Sequence, residues 1–256
     1  MKKTFKSVYI ALILLFLYAP IAVMIALSFN ASKSRAVWGG FSLTWYAQLF
    51  DSPEIMQALQ VTLTVAVLAT LVATVIGSLG AIGIHAMKTG RANALINLSY
   101  LSMTTPDIAT GVSLMLMFVF MKIPLGWGTM LMAHIAFDTP YVLFSVLPKL
   151  RQMNPSTYEA ALDLGCKPGK ALRKVILPQI MPGIVTGALL SFTMSLDDFV
   201  ISYFTSNTDQ NLSMIVYSAA RRGIEPTIYA LSTLMFLAVL VLLVVINKRS
   251  SLEDVS

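Results

Sequence analysis

Apolar stretches alternate with shorter polar ones along most of this chain. Each apolar stretch has about 20 or more residues, the length that crosses the ~30 Å hydrocarbon core of a bilayer as a helix. Six segments are therefore predicted to span a membrane: 8–29, 59–85, 94–120, 127–147, 183–204 and 227–246. The first is longer than the apolar region of a secretory signal and is expected to stay in the chain. The pattern predicts an all-α integral membrane protein with six transmembrane helices.

The one long charged segment, from Lys149 to Pro182, interrupts this pattern between the fourth and fifth spans. Asn154 is expected to cap a short helix, and Gly165 to end it in a left-handed turn. Pro168 is expected to open a second short helix that Pro178 closes, because proline cannot continue the backbone hydrogen bonds. Two small amphipathic helices joined at a glycine form a projection suited to a protein partner.

The second span carries small residues at a regular spacing. Ala73, Gly77 and Ala81 recur every four residues, so they share one face of the helix. Such a face lets membrane helices approach closely. We expect this helix to pack deep in the bundle.

The distribution of basic residues predicts the topology. Hydrophobic residues make up 57% of the chain, the mean hydropathy is +0.77 and the formal net charge is +6. Thirteen Lys and Arg residues lie on the side of the termini: Lys2, Lys3, Lys6, Lys88, Arg91, Lys149, Arg151, Lys167, Lys170, Arg173, Lys174, Lys248 and Arg249. Five lie on the opposite side: Lys33, Arg35, Lys122, Arg221 and Arg222. The positive-inside rule places both termini and the charged segment in the cytoplasm, so the positive charge reflects membrane topology rather than nucleic-acid binding.

Four acidic residues lie inside the predicted spans: Asp107, Asp138, Asp197 and Asp198. An ionisable side chain at membrane depth costs several kcal/mol unless it is paired or faces a water-filled cavity. The spans offer no Lys or Arg at matching depth, so a pathway lined by unpaired acids favours a cation. Asp197 and Asp198 would lie about 100° apart on a helix and could border one cavity. A structural role stays open as well, since Asp107 follows a proline and could cap a helix start.

Enzyme and cofactor motifs are missing from the sequence. The stretch 165–171 has three residues between its glycines where a phosphate-binding loop needs four. Cys166, the single cysteine, has no Cys or His neighbour, so neither a disulfide nor a metal site is expected. The acids permit two alternatives, an intramembrane aspartyl protease and a cation-coupled secondary transporter. The first would need a GxGD-like context and the second usually has internal repeats, and the sequence has neither.

The charged segment contains a spaced set of residues, namely Glu159, Ala160, Ala161, Gly165, Leu177 and Pro178. This set resembles the EAA loop of ABC-importer permeases, with Val175 where that family usually has isoleucine. The resemblance implies that the segment couples the chain to a cytoplasmic ATPase, and that these six residues form the contact. It accounts for a projecting polar loop that a secondary transporter would not need.

Two further stretches, 105–108 (TPDI) and 191–198 (SFTMSLDD), are similar to the permeases of spermidine/putrescine ABC importers. The resemblance implies a type I importer permease of the MetI-like fold. It also implies three partners: a second homologous permease subunit, two copies of an ATPase that uses ATP and magnesium, and an extracytoplasmic polyamine-binding protein. No cofactor is expected on this chain, and Asp107, Asp138, Asp197 and Asp198 are the candidates for the substrate pathway. An importer for another small solute is the alternative.

These interpretations divide the chain into three parts. Residues 1–58 form the first transmembrane helix and an extracytoplasmic connection, residues 59–247 form the transport domain with the coupling loop 149–182, and residues 248–256 form a cytoplasmic tail. The expected protein is a multi-pass component of the bacterial inner membrane. It would translocate polyamine by alternating access driven by the partner ATPase.

Overall fold

A chain that crosses a bilayer must satisfy its backbone hydrogen bonds internally, and an α-helix does this within one segment. The computed structural model describes residues 2–253, with the surroundings of side chains 6–154 and 156–241. Helices dominate this part of the chain, which also has an isolated antiparallel bridge between Asn30 and Phe41. In order, the helices are α1 (Lys2–Ser28), α2 (Thr44–Asp51), α3 (Pro53–Ala86), α4 (Thr89–Thr104), α5 (Asp107–Phe120), α6 (Trp127–Gln152), α7 (Pro155–Asp163), α8 (Pro168–Ala171), a π-helical turn (Leu172–Ile176), α9 (Leu177–Asp197), α10 (Val200–Thr205), α11 (Leu212–Arg222) and α12 (Pro226–Glu253). The prediction of an all-α protein is confirmed.

Four helical segments of the described chain are long and apolar enough to cross a membrane: residues 6–28, Pro53–Ala86, Trp127–Gln152 and Pro168–Asp197. The pair α4 and α5 makes a fifth span if its two halves are counted together. The predicted sixth span corresponds to α12, whose described apolar part covers Pro226–Val241. The helix continues to Glu253, and residues 254–256 of the predicted tail lie outside the described residues. Six spans are compatible with this arrangement and stay a prediction.

The third predicted span is not one straight helix. Helices α4 and α5 meet at an angle of 106° across Thr105 and Pro106. Thr105 is extended, with ψ at 135°, because the ring of a following proline disfavours the helical conformation. The break places Asp107 at the first residue of α5.

The fifth predicted span is also broken, and this corrects the expected relation between its two acids. Helix α9 ends at Asp197, and Asp198 is extended, with ψ at 125°. Helix α10 begins two residues later, at Val200. Asp197 and Asp198 therefore do not share a helix, and the 100° relation between them does not hold.

The charged segment folds as predicted in its first half. The Asn154 side chain accepts a hydrogen bond from the Ser156 amide at 3.0 Å, which caps α7. Gly165 has a φ of +79°, the left-handed conformation expected at the helix end. Both predictions are confirmed.

The prediction that Pro178 ends the second helix is wrong. The helix runs without interruption from Pro168 to Asp197, with a π-helical turn at Leu172–Ile176 just before the proline. A π turn shifts the backbone hydrogen bonds from i→i+4 to i→i+5. The bonding pattern has therefore already changed at the point where Pro178 lacks an N–H donor. Pro178 occupies the first turn of α9, a position that tolerates proline. The second half of the charged segment and the fifth span thus form one continuous helix.

The chain divides into two compact units. One contains the described residues up to Met56 and those from Val216 onward, and the other contains Gln57–Ile215. In the first unit, the Trp45 indole donates to the Asn30 carbonyl at 2.6 Å, and Asn30 Oδ1 accepts from the Gly39 amide at 2.8 Å. These bonds order the connection between α1 and α2.

The core of the second unit lies among α3, α6 and α9. Ala73, Ala81, Val142, Val146 and Ile180 are fully buried in one apolar cluster. A Cβ atom placed on Gly77 would lie 2.7 Å from Val142 Cβ, so α3 and α6 are in backbone-level contact there. The predicted small-residue face of the second span is confirmed as a packing face.

Candidate functional site

Helices α6 and α9 pack in antiparallel register through residues spaced by four on each helix. On α6 they are His134, Asp138, Val142 and Val146, and on α9 they are Ser195, Ser191, Gly187 and Gly183. In one half of the interface a Cβ on Gly187 would lie 2.9 Å from Val142 Cα, and a Cβ on Gly183 would lie 2.8 Å from the Ser145 carbonyl oxygen. Close steric packing holds that half, while hydrogen bonds hold the other.

Asp138 lies in the polar half of this interface. It is eleven residues from the start of α6, about 16 Å along the helix and thus near the middle of a bilayer. Its side chain is fully buried, and Oδ2 accepts a hydrogen bond from the Ser191 hydroxyl at 3.0 Å. Oδ1 has no hydrogen-bond partner among the described residues. A buried carboxylate oxygen without a donor can accept one from a ligand.

Helix α3 adds hydroxyl groups along one line. The Thr70 hydroxyl lies 3.5 Å from that of Ser191, and Thr74 and Ser78 follow at intervals of four residues. The hydroxyl oxygens of Thr74 and Ser78 are buried and, within the described chain, unpaired. The interior of the unit therefore contains a polar track with unused hydrogen-bonding capacity.

Asp198 is held by a dense set of contacts at the break between α9 and α10. Its carboxylate accepts hydrogen bonds from the amides of Ile201 at 3.2 Å and Ser202 at 2.8 Å, and from the Ser202 hydroxyl at 2.9 Å. Asp198 therefore caps the start of α10. His134 Nε2 lies 3.5 Å from Asp198 Oδ2. The expectation that the intramembrane acids are unpaired is wrong for this residue.

His134 joins three elements at this point. Its ring is buried, Nδ1 lies 2.6 Å from the Ser195 hydroxyl of α9, and Nε2 lies 2.9 Å from the Ser202 hydroxyl of α10. A proton on Nε2 satisfies the whole network, because Ser195 then donates to Nδ1. The Asn211 amide completes it by donating to the Asp198 carbonyl and to the Ser202 hydroxyl, both at 2.8 Å. We call His134, Asp198, Ser202 and Asn211 the break clamp.

The other two predicted acids are exposed. Asp107 is the first residue of α5, and its side chain makes no capping hydrogen bond. The Tyr141 hydroxyl of α6 lies within electrostatic range of both Asp107 and Asp138. Asp197 lies at the end of α9, six residues or about 9 Å of helix beyond Ser191. Asp107 and Asp138 thus both lie in the neighbourhood of Tyr141, and Asp197 lies further along α9.

Sequence reasoning missed the partners of the acids. His134, an ionisable side chain inside a predicted span, was the available signal, although its partner is Asp198 rather than Asp138 four residues along the same helix. Ser191, Ser195 and Asn211 gave no signal of their own, because their roles depend on which helices meet. Among the described residues, no group of three or more His, Cys, Asp or Glu side chains could hold a metal ion.

The first half of the charged segment ends in a tight cap. The Gly165 amide donates to the Leu162 carbonyl at 2.8 Å, and the Cys166 amide donates to the Ala161 carbonyl at 3.0 Å. These two bonds and the positive φ of Gly165 define a Schellman motif. The distance in sequence between Ala161 and Gly165 is thus set by the geometry of one helix end.

This cap leaves an exposed tip. Glu159 and Ala160 are exposed, and Leu164, just before the glycine, is 89% exposed. An isolated large apolar side chain on a charged projection is suited to burial against a partner. Leu164 was not among the residues predicted to form this contact.

The same segment is anchored to the core of its unit. Tyr158, Leu172 and Leu177 pack against the apolar cluster of α3, α6 and α9, and Ala161 is partly buried. Pro178 is exposed on the continuous helix that leads into α9. Packed side chains and the unbroken helix from Pro168 to Asp197 therefore connect this segment to α9.

Apolar helices with a polar interior and an exposed charged projection are typical of a membrane permease. The family model described as "Binding-protein-dependent transport system inner membrane component" matches residues 73–248. The chain belongs to this family. It is a permease of the inner membrane that works with a separate binding protein.

Close relatives support the assignment. The "Spermidine/putrescine transport system permease protein PotC" of Haemophilus influenzae is 35% identical over 96% of this chain and 97% of its own length. The "Putrescine transport system permease protein PotI" of Escherichia coli K12 is 39% identical over 88% of this chain and 83% of its own length. These relatives confirm the predicted transport subunit, and they exclude the protease and the secondary transporter.

Solved structures confirm the predicted importer fold. A bacterial ABC transporter that imports the acidic polysaccharide alginate contains a chain similar to this one, with a TM-score of 0.71 and 18% identity over 93% of this chain and 90% of that one. The MetNI methionine ABC transporter contains another, with a TM-score of 0.63 and 20% identity over 80% of this chain and 99% of that one. The fold is that of a MetI-like ABC-importer permease.

Proposed function

We propose that this chain is a permease subunit of an ATP-driven importer of polyamines such as spermidine or putrescine. The observation that carries the proposal is Asp138, a fully buried carboxylate near mid-membrane with one oxygen that lacks a donor. An ammonium group supplies both the charge and the donors that this oxygen lacks. The names of the relatives point to the same chemistry.

The substrate pathway uses the four predicted acids in different ways. Asp138 binds an ammonium group at the centre, and Asp107 with the Tyr141 ring lines the approach to it. Asp197, exposed beyond the serines of α9, meets the substrate first. Asp198 contributes through the break clamp, because its carboxylate already accepts three hydrogen bonds. A polyamine carries several ammonium groups, so acids spaced along a path suit it.

The exposed tip of the charged segment docks on a cytoplasmic ATPase. Glu159, Ala160, Ala161 and Gly165 shape the tip, and Leu177 with Pro178 joins it to α9. The full importer contains a second homologous permease, two ATPase copies that use ATP and magnesium, and an extracytoplasmic polyamine-binding protein. Residues 59–247 form the transport domain, and membrane lipid surrounds it.

The orientation follows from the basic residues. Thirteen of the Lys and Arg residues lie on the side of the termini and five on the other, so both termini and the coupling segment are cytoplasmic. This is the compartment in which an ATPase has access to ATP.

Alternating access then follows from the mechanical continuity of the chain. Closure of the ATPase dimer moves the docked tip, and the helix from Pro168 to Asp197 carries the motion to the polar half of the α6–α9 interface. Separation of Ser191 from Asp138 opens the carboxylate to the pathway. ATP hydrolysis returns the helices to the closed packing.

The test is uptake of radiolabelled spermidine and putrescine by cells that lack their own polyamine import and express this chain with its partner subunits. We expect uptake to depend on the chain, and Asp138→Asn to reduce uptake by about tenfold or more. This factor corresponds to the loss of a hydrogen bond to a charged group, which contributes about 1.5–3 kcal/mol. Asp51→Asn, which removes an exposed acid of α2, is the control and should transport normally.

Two results would contradict the proposal. Uptake that is unchanged in Asp138→Asn, with normal membrane expression, would remove Asp138 from the pathway. A chain that co-purifies with its ATPase but supports no polyamine uptake would transport another small solute.

A further inference from the structure

A cleft of about 340 Å³ lies between α4 and the end of α6, away from the acids of the proposed pathway. Ile96, Phe144, Leu147 and Pro148 form its apolar lining, and Arg151 and Gln152 form its polar end. Pro148 cannot donate the backbone hydrogen bond that the Phe144 carbonyl would otherwise accept, and both residues line the cleft. The cleft thus coincides with a weak point of the α6 backbone.

The position of the cleft along α6 matches the boundary between hydrocarbon and lipid headgroups. Phe144 lies seventeen residues, or about 26 Å, from the start of α6, within the ~30 Å hydrocarbon core. Arg151 lies twenty-four residues, or about 36 Å, from the same start and therefore at headgroup level. The apolar lining and the polar end fall on the two sides of this boundary.

The polar end carries unbalanced positive charge. Lys149 and Arg151 are exposed in the last turns of α6, and Lys88 and Arg91 are exposed at the start of α4. The edge-to-face contact of Tyr100 with Phe144, and the position of Ile96 beside Pro148, show that α4 and α6 run antiparallel here. The four cations are therefore at the same end. In the described part of the chain, no carboxylate lies within 4.0 Å of any of them.

We propose that this cleft binds an anionic phospholipid. One acyl chain packs against Ile96, Phe144 and Leu147, and the phosphate accepts hydrogen bonds from the Arg151 guanidinium and the Gln152 amide. Basic residues next to an apolar groove between membrane helices provide the chemistry for an anionic headgroup. The site is independent of the transported substrate.

Lipid binding here connects the membrane to the coupling segment. Leu147 belongs to the apolar cluster against which Ile96, Tyr158 and Leu172 pack, and the last two anchor the segment. An acyl chain in the cleft supports the α4 side of α6 where the proline weakens it. The lipid therefore stabilises the base from which the coupling segment projects.

The test uses the full chain purified with its partner subunits and reconstituted in nanodiscs of phosphatidylethanolamine mixed with phosphatidylglycerol. Retained lipid is then quantified by mass spectrometry after transfer to detergent. We expect enrichment of phosphatidylglycerol in the wild type and a loss of about tenfold in Arg151→Ala, equivalent to about 1.4 kcal/mol. Ile96→Trp keeps the charge but fills the cleft, and it should lose the lipid as well.

The matched control is Lys122→Asn, which removes an exposed cation at the opposite end of α6. Lys122 has a φ of 57°, a conformation that asparagine tolerates, so the turn is preserved. This variant should retain phosphatidylglycerol as the wild type does.

Several outcomes would overturn the proposal. Equal retention of both lipids by the wild type, or undiminished phosphatidylglycerol in Arg151→Ala and Ile96→Trp, would show that the cleft has no preference for an anionic lipid. A photocrosslinker at position 148 should label lipid. If it labels a partner subunit instead, the cleft is a protein interface.

Discussion

Exchange of Gly77 for alanine tests the packing of α3 on α6. The new Cβ would lie 2.7 Å from Val142 Cβ and 2.9 Å from the Thr139 carbonyl oxygen, whereas ordinary contacts begin at 3.4 Å. The carbonyl belongs to the α6 backbone, so the strain is relieved only if the helices separate by about 0.7 Å. Overpacking of this kind costs about 1–3 kcal/mol.

Gly83→Ala is the matched control on the same helix. No atom lies within 4 Å of the position that its Cβ would occupy. Both substitutions gain the roughly 1 kcal/mol by which alanine exceeds glycine in helix propensity. The difference between the two variants therefore isolates the cost of packing.

The assay is thermal unfolding of the purified transporter in detergent, with uptake measured in parallel. We expect Gly83→Ala to be at least as stable as the wild type. Gly77→Ala should be less stable than Gly83→Ala by about 1–3 kcal/mol. For a chain of this size, each kcal/mol lowers the melting temperature by roughly 2–4 °C. Uptake should also fall in Gly77→Ala, since Thr139 directly follows Asp138 on α6. Equal melting temperatures of the two variants would refute the backbone-level contact between α3 and α6.

Two further predictions address the break clamp and the coupling segment. His134→Phe keeps the ring volume but removes both ring nitrogens, which bond Ser195 and Ser202 and face the Asp198 carboxylate. It should destabilise the transporter by about 1–3 kcal/mol, the cost of removing one partner from buried polar groups. His85→Phe, at an exposed site, should not, and equal thermal stability of the two would argue against the clamp. Gly165→Ala forces a side chain into a left-handed conformation, which costs about 1–2 kcal/mol, and should reduce co-purification of the ATPase. The control Gly169→Ala, in a helix with open space around it, should not reduce it. Normal co-purification with Gly165→Ala would contradict the docking role of the turn.

The glycines and serines of α9 connect the proposed coupling and transport functions. Gly183 and Gly187 bring α9 against α6 at the end near the coupling segment, and Ser191 and Ser195 continue the same face into the polar region. The same face of α9 thus packs closely against α6 in one half and forms hydrogen bonds with it in the other. A shift of α9 along α6 would alter both at once.

Local chemistry made much of this protein predictable. The apolar segments, the asparagine cap of α7 and the left-handed glycine follow from short-range rules, because length, capping and backbone conformation depend on neighbouring residues. The residues from Glu159 to Pro178 also resemble the EAA loop of the family, and the spacing from Ala161 to Gly165 within them encodes one helix end. The four acids stood out because a charge in an apolar segment is costly wherever the segment packs.

Tertiary structure decided how those acids are used. The sequence alone placed both Asp138 and Asp198 among the candidates for the substrate pathway. The register of α6 on α9 brings Ser191 to Asp138, and the break before α10 surrounds Asp198 with His134, Ser202 and Asn211. The continuation of the helix past Pro178 was also not predictable from the sequence. It depends on a π-helical turn that changes the backbone hydrogen bonds before the proline. Hydrogen-bond partners brought together from separate helices depend on packing, and no local pattern encodes them.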